Sequence, residues 1–153
     1  MYGNTECCCD PRLVQCSLSL IIEALEDEAH DRMFYQCLLQ MAPDRKQCKI
    51  IESIRNDEMK HFKMFRIIYE EITCKQPPCK QPGQEFEEPE SYCDAIETAL
   101  FGELNAVEMY RRIMFGLCSQ RHRDMLFEII TDEMKHSVKW NFLYNINRCT
   151  CCD

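Results

Sequence analysis

Glycine, proline, basic charge and long apolar runs are all in short supply in this chain. Four Gly and six Pro in 153 residues, beside many Glu, Lys, Met and Leu, favour helices over sheets. No apolar run approaches the roughly 18 to 20 residues of a membrane span, so no membrane partner is expected. The first ten residues have neither a basic n-region nor an apolar h-region, which points to a cytoplasmic location. Lys and Arg number 18 against 26 Asp and Glu, a net charge of −8, and a phosphate backbone demands the opposite sign. Nucleic acid is therefore not an expected partner. With 46% hydrophobic and 29% charged residues, the chain has the composition of one folded domain with a real core.

Cysteine breaks this pattern of thrift, with 13 residues. An odd count without a leader argues against a secreted disulfide framework, and a reduced cytosol tolerates many thiols.

Residues 1–15, with Cys7, Cys8, Cys9 and Pro11, show no helical period and read as a Cys-rich N-terminal arm. From about Ser17, apolar residues recur at steps of three and four: Ile21, Ala24, Leu25, Tyr35 and Leu39. Pro43 ends this helix, and Asp44 is placed to cap the next. A second stripe runs Ile51, Ile54, Phe65, Ile68 and Ile72. Residues 75–91, with Pro77, Pro78, Pro82, Gly83 and Pro89, form a linker. At roughly 3 Å per residue it reaches about 50 Å, the length of a helical bundle. A third stripe holds Ile96, Ala99, Leu100, Val107 and Met114. Residues 116–120 make a turn, and a fourth stripe runs Leu126, Ile129, Trp140 and Leu143 before a Cys-rich tail at 149–153.

One pentapeptide occurs twice. Asp57-Glu58-Met59-Lys60-His61 returns as Asp132-Glu133-Met134-Lys135-His136, at an offset of 75. The segments 17–74 and 92–149 align at that offset without a gap. Ile21 falls on Ile96, Ala24 on Ala99, Leu25 on Leu100, Glu28 on Glu103, Tyr35 on Tyr110, Tyr69 on Tyr144 and Cys74 on Cys149. This reads as an internal duplication of a helical hairpin. Two hairpins and a long crossover make an all-α four-helix bundle spanning 16–148.

Glu and His three apart share one side of a helix, and here both pairs lie inside an apolar stripe. Glu28 and Glu103 are the carboxylates at the middle of the other two stripes. An unpaired buried carboxylate is costly, and four at fixed offsets call for one common explanation. Glu28, Glu58, His61, Glu103, Glu133 and His136 form the ligand set of a dinuclear metal site, with Glu58 and Glu133 as bridges and the others as terminal ligands. Four carboxylates balance two divalent ions, and this donor set suits iron or manganese better than a thiolate metal. Behind the ligands, Asp57 is expected to orient His136, and Asp132 to orient His61, each across the repeats; ordinary surface charge is the rival reading. Tyr35 and Tyr110, two turns beyond their Glu, are placed to hydrogen-bond carboxylates or simply to fill the core. Lys60 and Lys135 are expected to point outward, and His30 and His122 to be exposed.

The run Glu28-x6-Tyr35, Glu58-x-x-His61, Glu103-x6-Tyr110, Glu133-x-x-His136 resembles the ferritin-like superfamily, and within it the rubrerythrin type, over residues 17–148. The resemblance implies a ferritin-like bundle holding two iron ions (manganese or a mixed pair being the variants) that reacts with hydrogen peroxide or dioxygen. It implies an external electron donor such as a rubredoxin-like protein, and, with an apolar outer stripe, a homodimer. The sequence departs from the type twice: rubrerythrins carry a further Glu one turn after the third-helix Glu, where this chain has Ala106, and no rubredoxin-like Cys-x-x-Cys domain is present. Peroxide reduction in oxidative-stress defence is the first function expected, ferroxidase or iron-handling work the second, and a Cys-rich structural role the third.

In ferritin-like connectivity Cys7, Cys8, Cys9, Cys16, Cys74, Cys79 and Cys118 share one end of the bundle. Cys48, Cys93, Cys149, Cys151 and Cys152 share the other. Each group suffices for a disulfide staple or a zinc site; scattered free thiols are the alternative.

Overall fold

A computed structural model describes residues 9–78, 88–147 and 149. Four helices account for nearly all of them: α1 (Pro11–Met41), α2 (Arg45–Thr73), α3 (Tyr92–Gly116) and α4 (Gln120–Ile146), with no strand among the described residues. None is long and apolar enough to cross a membrane.

Local chemistry sets their ends. Asp44 caps α2 as expected, its carboxylate accepting from the Gln47 N–H at 2.9 Å. Ser91 caps α3 through the Asp94 N–H at 3.1 Å. At its far end α2 stops on Cys74, which adopts φ 54° and donates its N–H to Glu70 O. The start of α1 corrects the sequence reading, which leaves residues 11–15 in an irregular arm. Asp10 accepts from the Arg12 N–H at 2.9 Å, and Pro11 sits where a helix has no use for its missing N–H, so the helix begins there.

End-to-end contacts fix the topology. α1 packs on α2 and α3, and α4 packs on α3 and α2. The Ser17 hydroxyl near the start of α1 donates to Ile113 O near the end of α3 at 2.9 Å. Gln47, early in α2, meets Asn147, just past α4, while Glu71, late in α2, meets His122 at the start of α4. Neighbouring helices are therefore antiparallel, and α2 and α3, on a diagonal, run the same way. α2 ends and α3 begins at opposite ends of the bundle. At 1.5 Å per residue, helices of 25 to 31 residues are roughly 37–46 Å long.

The core divides into two apolar plugs. One is built around Ile21, Leu25, Phe65, Ile68, Ile113 and Ile129, the other around Leu38, Ile51, Ile54, Ile96, Trp140 and Leu143. Glu28, Glu58, Glu103 and Glu133 lie near the midpoint of their respective helices, at the height where these plugs meet.

α1 and α3 approach closely at Gly116. A Cβ there would stand 2.1 Å from Ser17 Oγ and 2.5 Å from Leu13 O, one of them backbone and unable to swing aside. Gly116→Ala is expected to lower stability by about 1–3 kcal/mol in urea unfolding; an unchanged midpoint would show that α1 and α3 separate there without cost.

Candidate metal centre

Each helix contributes to one buried cluster. Glu28 comes from α1, Glu58 and His61 from α2, Glu103 from α3, and Glu133 and His136 from α4; none is more than 3% exposed. The i, i+3 spacing puts each Glu–His pair on one inward face.

The six residues form two overlapping groups, Glu28–Glu58–His61–Glu133 and Glu58–Glu103–Glu133–His136, each with one donor atom per residue within 4.8 Å of the others. Glu58 and Glu133 belong to both, and their two oxygens divide between the groups. His61 Nδ1 lies 3.2 Å from Glu58 Oε2 and 2.9 Å from Glu133 Oε1. His136 Nδ1 lies 3.2 Å from Glu58 Oε1 and 3.6 Å from Glu133 Oε2. Glu28 joins the first group at 3.8 Å from His61 Nδ1, and Glu103 the second at 3.4 Å from His136 Nδ1.

These distances bring ligand atoms together without satisfying them. Glu28 Oε2, Glu58 Oε1, Glu133 Oε1 and His136 Nδ1 have no hydrogen-bond partner. Several lie within 4 Å of an oppositely charged group, yet the angles fail for a hydrogen bond, so proximity and satisfaction disagree. Ligand atoms gathered within 4.8 Å of one another and left without a proton between them are what a cation satisfies. By this measure the residues fit a pair of divalent ions.

Without cations the charges are held by protons. Burial, followed by the charges of Glu58 and Glu133, raises the Glu28 carboxyl well above its usual range. Burial and a bond shared with Glu133 do the same to Glu103. At His61 burial opposes the charged form, but the adjacent carboxylates of Glu133 and Glu58 prevail and push it to about 10. His136 is raised against the same opposition, by Glu103, Glu133 and Glu58. Burial also works against the charged form of Glu133, which the neighbouring Glu103, His136 and His61 nevertheless hold well below the usual carboxylate range.

Hydrogen bonds behind the ligands cross between the two halves of the chain. His61 Nε2 lies 3.2 Å from Asp132 Oδ2, and His136 Nε2 3.0 Å from Asp57 Oδ2. An N–H donated to each Asp fixes the tautomer that turns the Nδ1 lone pair inward. The Tyr35 hydroxyl donates to Glu103 Oε1 at 2.7 Å, and the Tyr110 hydroxyl to Glu28 Oε1 at 2.9 Å. Burial, and then the neighbouring carboxylates, raise both phenols well above their usual range, so they stay donors.

Three features escape the sequence reading. Trp140, read there as core alone, donates its indole N–H to Glu103 Oε1 at 2.8 Å and packs on Tyr35 with ring centroids 5.1 Å apart. Lys60, expected outward, bridges α2 to α4, reaching Asp132 at 2.7 Å and Glu128 at 3.0 Å. Partial burial works against its charge, but these bonds prevail and hold Lys60 at about 12. Lys135, although exposed, also pairs with Asp132. His122, expected exposed, is 7% exposed and lies 2.7 Å from Glu71.

The cysteines pair one to each end: Cys9 with Cys118 and Cys93 with Cys149. Each partner lies within the group expected for it, and the pairing withdraws four thiols from any zinc site. Cys16, Cys37, Cys48 and Cys74 are free thiols. Cys7, Cys8, Cys79, Cys151 and Cys152 lie outside the described residues.

No family model matches the chain. It is 27% identical over 126 residues to the uncharacterized protein YhjR of Bacillus subtilis (strain 168), a span covering 82% of this chain and 84% of that one. Among solved structures it is similar to a conserved hypothetical protein from Mycobacterium tuberculosis, with a TM-score of 0.74 at 14% identity over 86% of this chain and 92% of that one. It is also similar to a hypothetical protein from Pyrococcus furiosus, with a TM-score of 0.70 at 18% identity over 85% and 89% of the two chains. These likenesses show a shared helical fold and bring no activity with them.

Proposed function

We propose that this chain is a ferritin-like, duplicated-hairpin protein of the rubrerythrin type, which holds two iron ions and reduces hydrogen peroxide or dioxygen. One observation carries the reading: Glu58 and Glu133 each present one oxygen to each of two ligand groups, and each group is completed by its own His and its own Glu. Two adjacent cations sharing two carboxylates match that division of oxygens.

When bound, a ferrous pair would supply the two electrons that, with two protons, reduce peroxide to two molecules of water. The chain's own residues prepare the site for this. Asp57 and Asp132 hold the imidazoles in one tautomer, and Tyr110 ties down one oxygen of Glu28 while Tyr35 and Trp140 tie down one oxygen of Glu103. The two apolar plugs keep bulk water from the centre along the bundle axis. The electrons return from an external donor of the rubredoxin kind, and a second copy of the chain is the remaining partner in this reading.

Iron handling by a ferroxidase is the second reading. The observation in its favour is Ala106, which gives α3 no further carboxylate beside Glu103 and so leaves the two ligand groups alike.

Anaerobic protein given two equivalents of ferrous ion and then peroxide, with a reductant present, is expected to oxidise rapidly and turn over repeatedly, followed by absorbance. Single-turnover oxidation by air with iron release supports the second reading. Protein that binds no iron or manganese at all defeats both.

A further inference from the structure

The two seams of the bundle differ in how they are closed. On the α2–α4 side the outer nitrogens of both histidines are covered by Asp57 and Asp132, with Lys60 reaching across to Asp132 and Glu128. That seam is laced shut by charge-assisted hydrogen bonds. On the α1–α3 side a cavity of about 590 Å³ opens instead. Tyr110, whose hydroxyl holds Glu28, is part of its wall, so the cavity reaches the layer directly behind the ligands.

Its two sides are unlike. On α1, Glu23, Asp27 and Asp31 all line the cavity, and a spacing of four stacks them on one face at about one helical turn per step. Like charges spaced this way cost a helix stability. On α3, at the positions 75 residues after Asp27 and Asp31, stand Gly102 and Ala106, which also line it. A Cβ on Gly102 would meet nothing within 4 Å. At these matched positions α1 carries carboxylates and α3 only a hydrogen or a methyl group, while Asn105, Met109 and Tyr110 fill the rest of the α3 wall. Glu108 adds to the negative charge, and Arg112 and His30 offset part of it.

Asp31 stands at the inner end of the ladder, one turn past Glu28. Burial raises its carboxyl against a lowering contact from His30, and the charges of Glu58 and Glu133 add to the rise. Its side chain keeps 42% of its surface open, and it lines the cavity.

We propose that the α1–α3 cavity is the path by which divalent cations reach the centre, with Asp31 as the carboxylate that passes them to Glu28. The path rests on the dinuclear reading. It requires a negative funnel and an unfilled wall, and the acidic ladder and Gly102 supply them. A charged funnel raises the arrival rate of an ion.

Cobalt(II) serves as the probe, because its visible absorption reports capture by carboxylate and imidazole ligands. In stopped-flow mixing with metal-free protein, Gly102→Leu and Asp31→Asn are each expected to slow uptake by about tenfold or more. The final spectrum and the stoichiometry of two ions stay those of the wild type. Added salt slows the wild type more than Asp31→Asn, because the variant has already lost part of the steering. Uptake by both variants at the wild-type rate overturns the path. So does a changed end-point spectrum in Asp31→Asn, which would make Asp31 a ligand rather than a relay. Wild-type protein that captures no cobalt defeats the dinuclear reading itself, a result distinct from either.

Discussion

Glu58→Ala is expected to reduce metal binding from two ions to at most one, and to weaken the ion that remains. Glu58 gives one oxygen to each ligand group, so its loss opens both positions at once, whereas removing Glu28 or Glu103 opens one. The fall in affinity should exceed the roughly 10- to 100-fold typical of a lost partner behind a ligand, which is the size expected for Asp57→Asn. Thermal unfolding gives a second readout. Ions that bind only the folded chain stabilise it by about 2.7 kcal/mol at a hundred times the dissociation constant, and the variant should lose most of this. A variant that still holds two ions with unchanged spectra and unchanged metal-dependent stability would sink the bridging role of Glu58.

The other large effect belongs to the disulfides. Cys9–Cys118 and Cys93–Cys149 join residues 109 and 56 apart in sequence, and in the chain-entropy account loops of that size are worth about 4–5 kcal/mol each, within an observed range of roughly 0–5. The first ties the start of α1 to the α3–α4 turn; the second ties the start of α3 to the segment just past α4. Cys93→Ser is accordingly expected to lower the unfolding free energy by several kcal/mol, and reduction of the wild type to lower it further. Equilibrium urea unfolding with and without reductant measures both. If reductant leaves the wild-type midpoint where it was, the bridges contribute nothing to stability. An oxidising compartment keeps such bonds and a reducing one opens them, so the stability of this fold follows the redox state around it.

The helices and the cluster were legible for the same reason. Glu28 and Glu103 interrupt apolar stripes, and a repeated offset connects them to the Glu-x-x-His pairs; period and repetition are properties of the sequence itself. The crosswise Asp–His pairing followed from the need of an inward imidazole for an acceptor behind it. Trp140 was not legible in this way. At the 75-residue offset its counterpart is Phe65, which has no N–H, so the repeat conceals the indole bond; the signal available was that a buried indole needs an acceptor. His122 and Glu71 sit 51 residues apart, and nothing local reports that they meet. The reach of Lys60 depends on how α2 and α4 are staggered, which is settled only by packing. Asp10 and Pro11 did announce the start of α1, but the Cys-rich segment before them masked a regular capping signal. For the cysteines, connectivity sorted them into ends, while the choice of partner within an end depends on ångström-scale placement of the backbone.

The wiring behind the ligands carries one more implication. Tyr35 serves Glu103 and Tyr110 serves Glu28; Asp57 serves His136 and Asp132 serves His61. Every one of these bonds leaves the hairpin in which it begins. A single hairpin thus owns three of the six candidate ligands but none of these four bonds; only the Trp140 indole, on Glu103, secures a carboxylate from within its own hairpin. Two hairpins placed face to face supply everything the other is missing. A protein wired this way is a partnership recorded in one chain, and cutting the tether between its halves should leave two pieces that are idle apart and competent together.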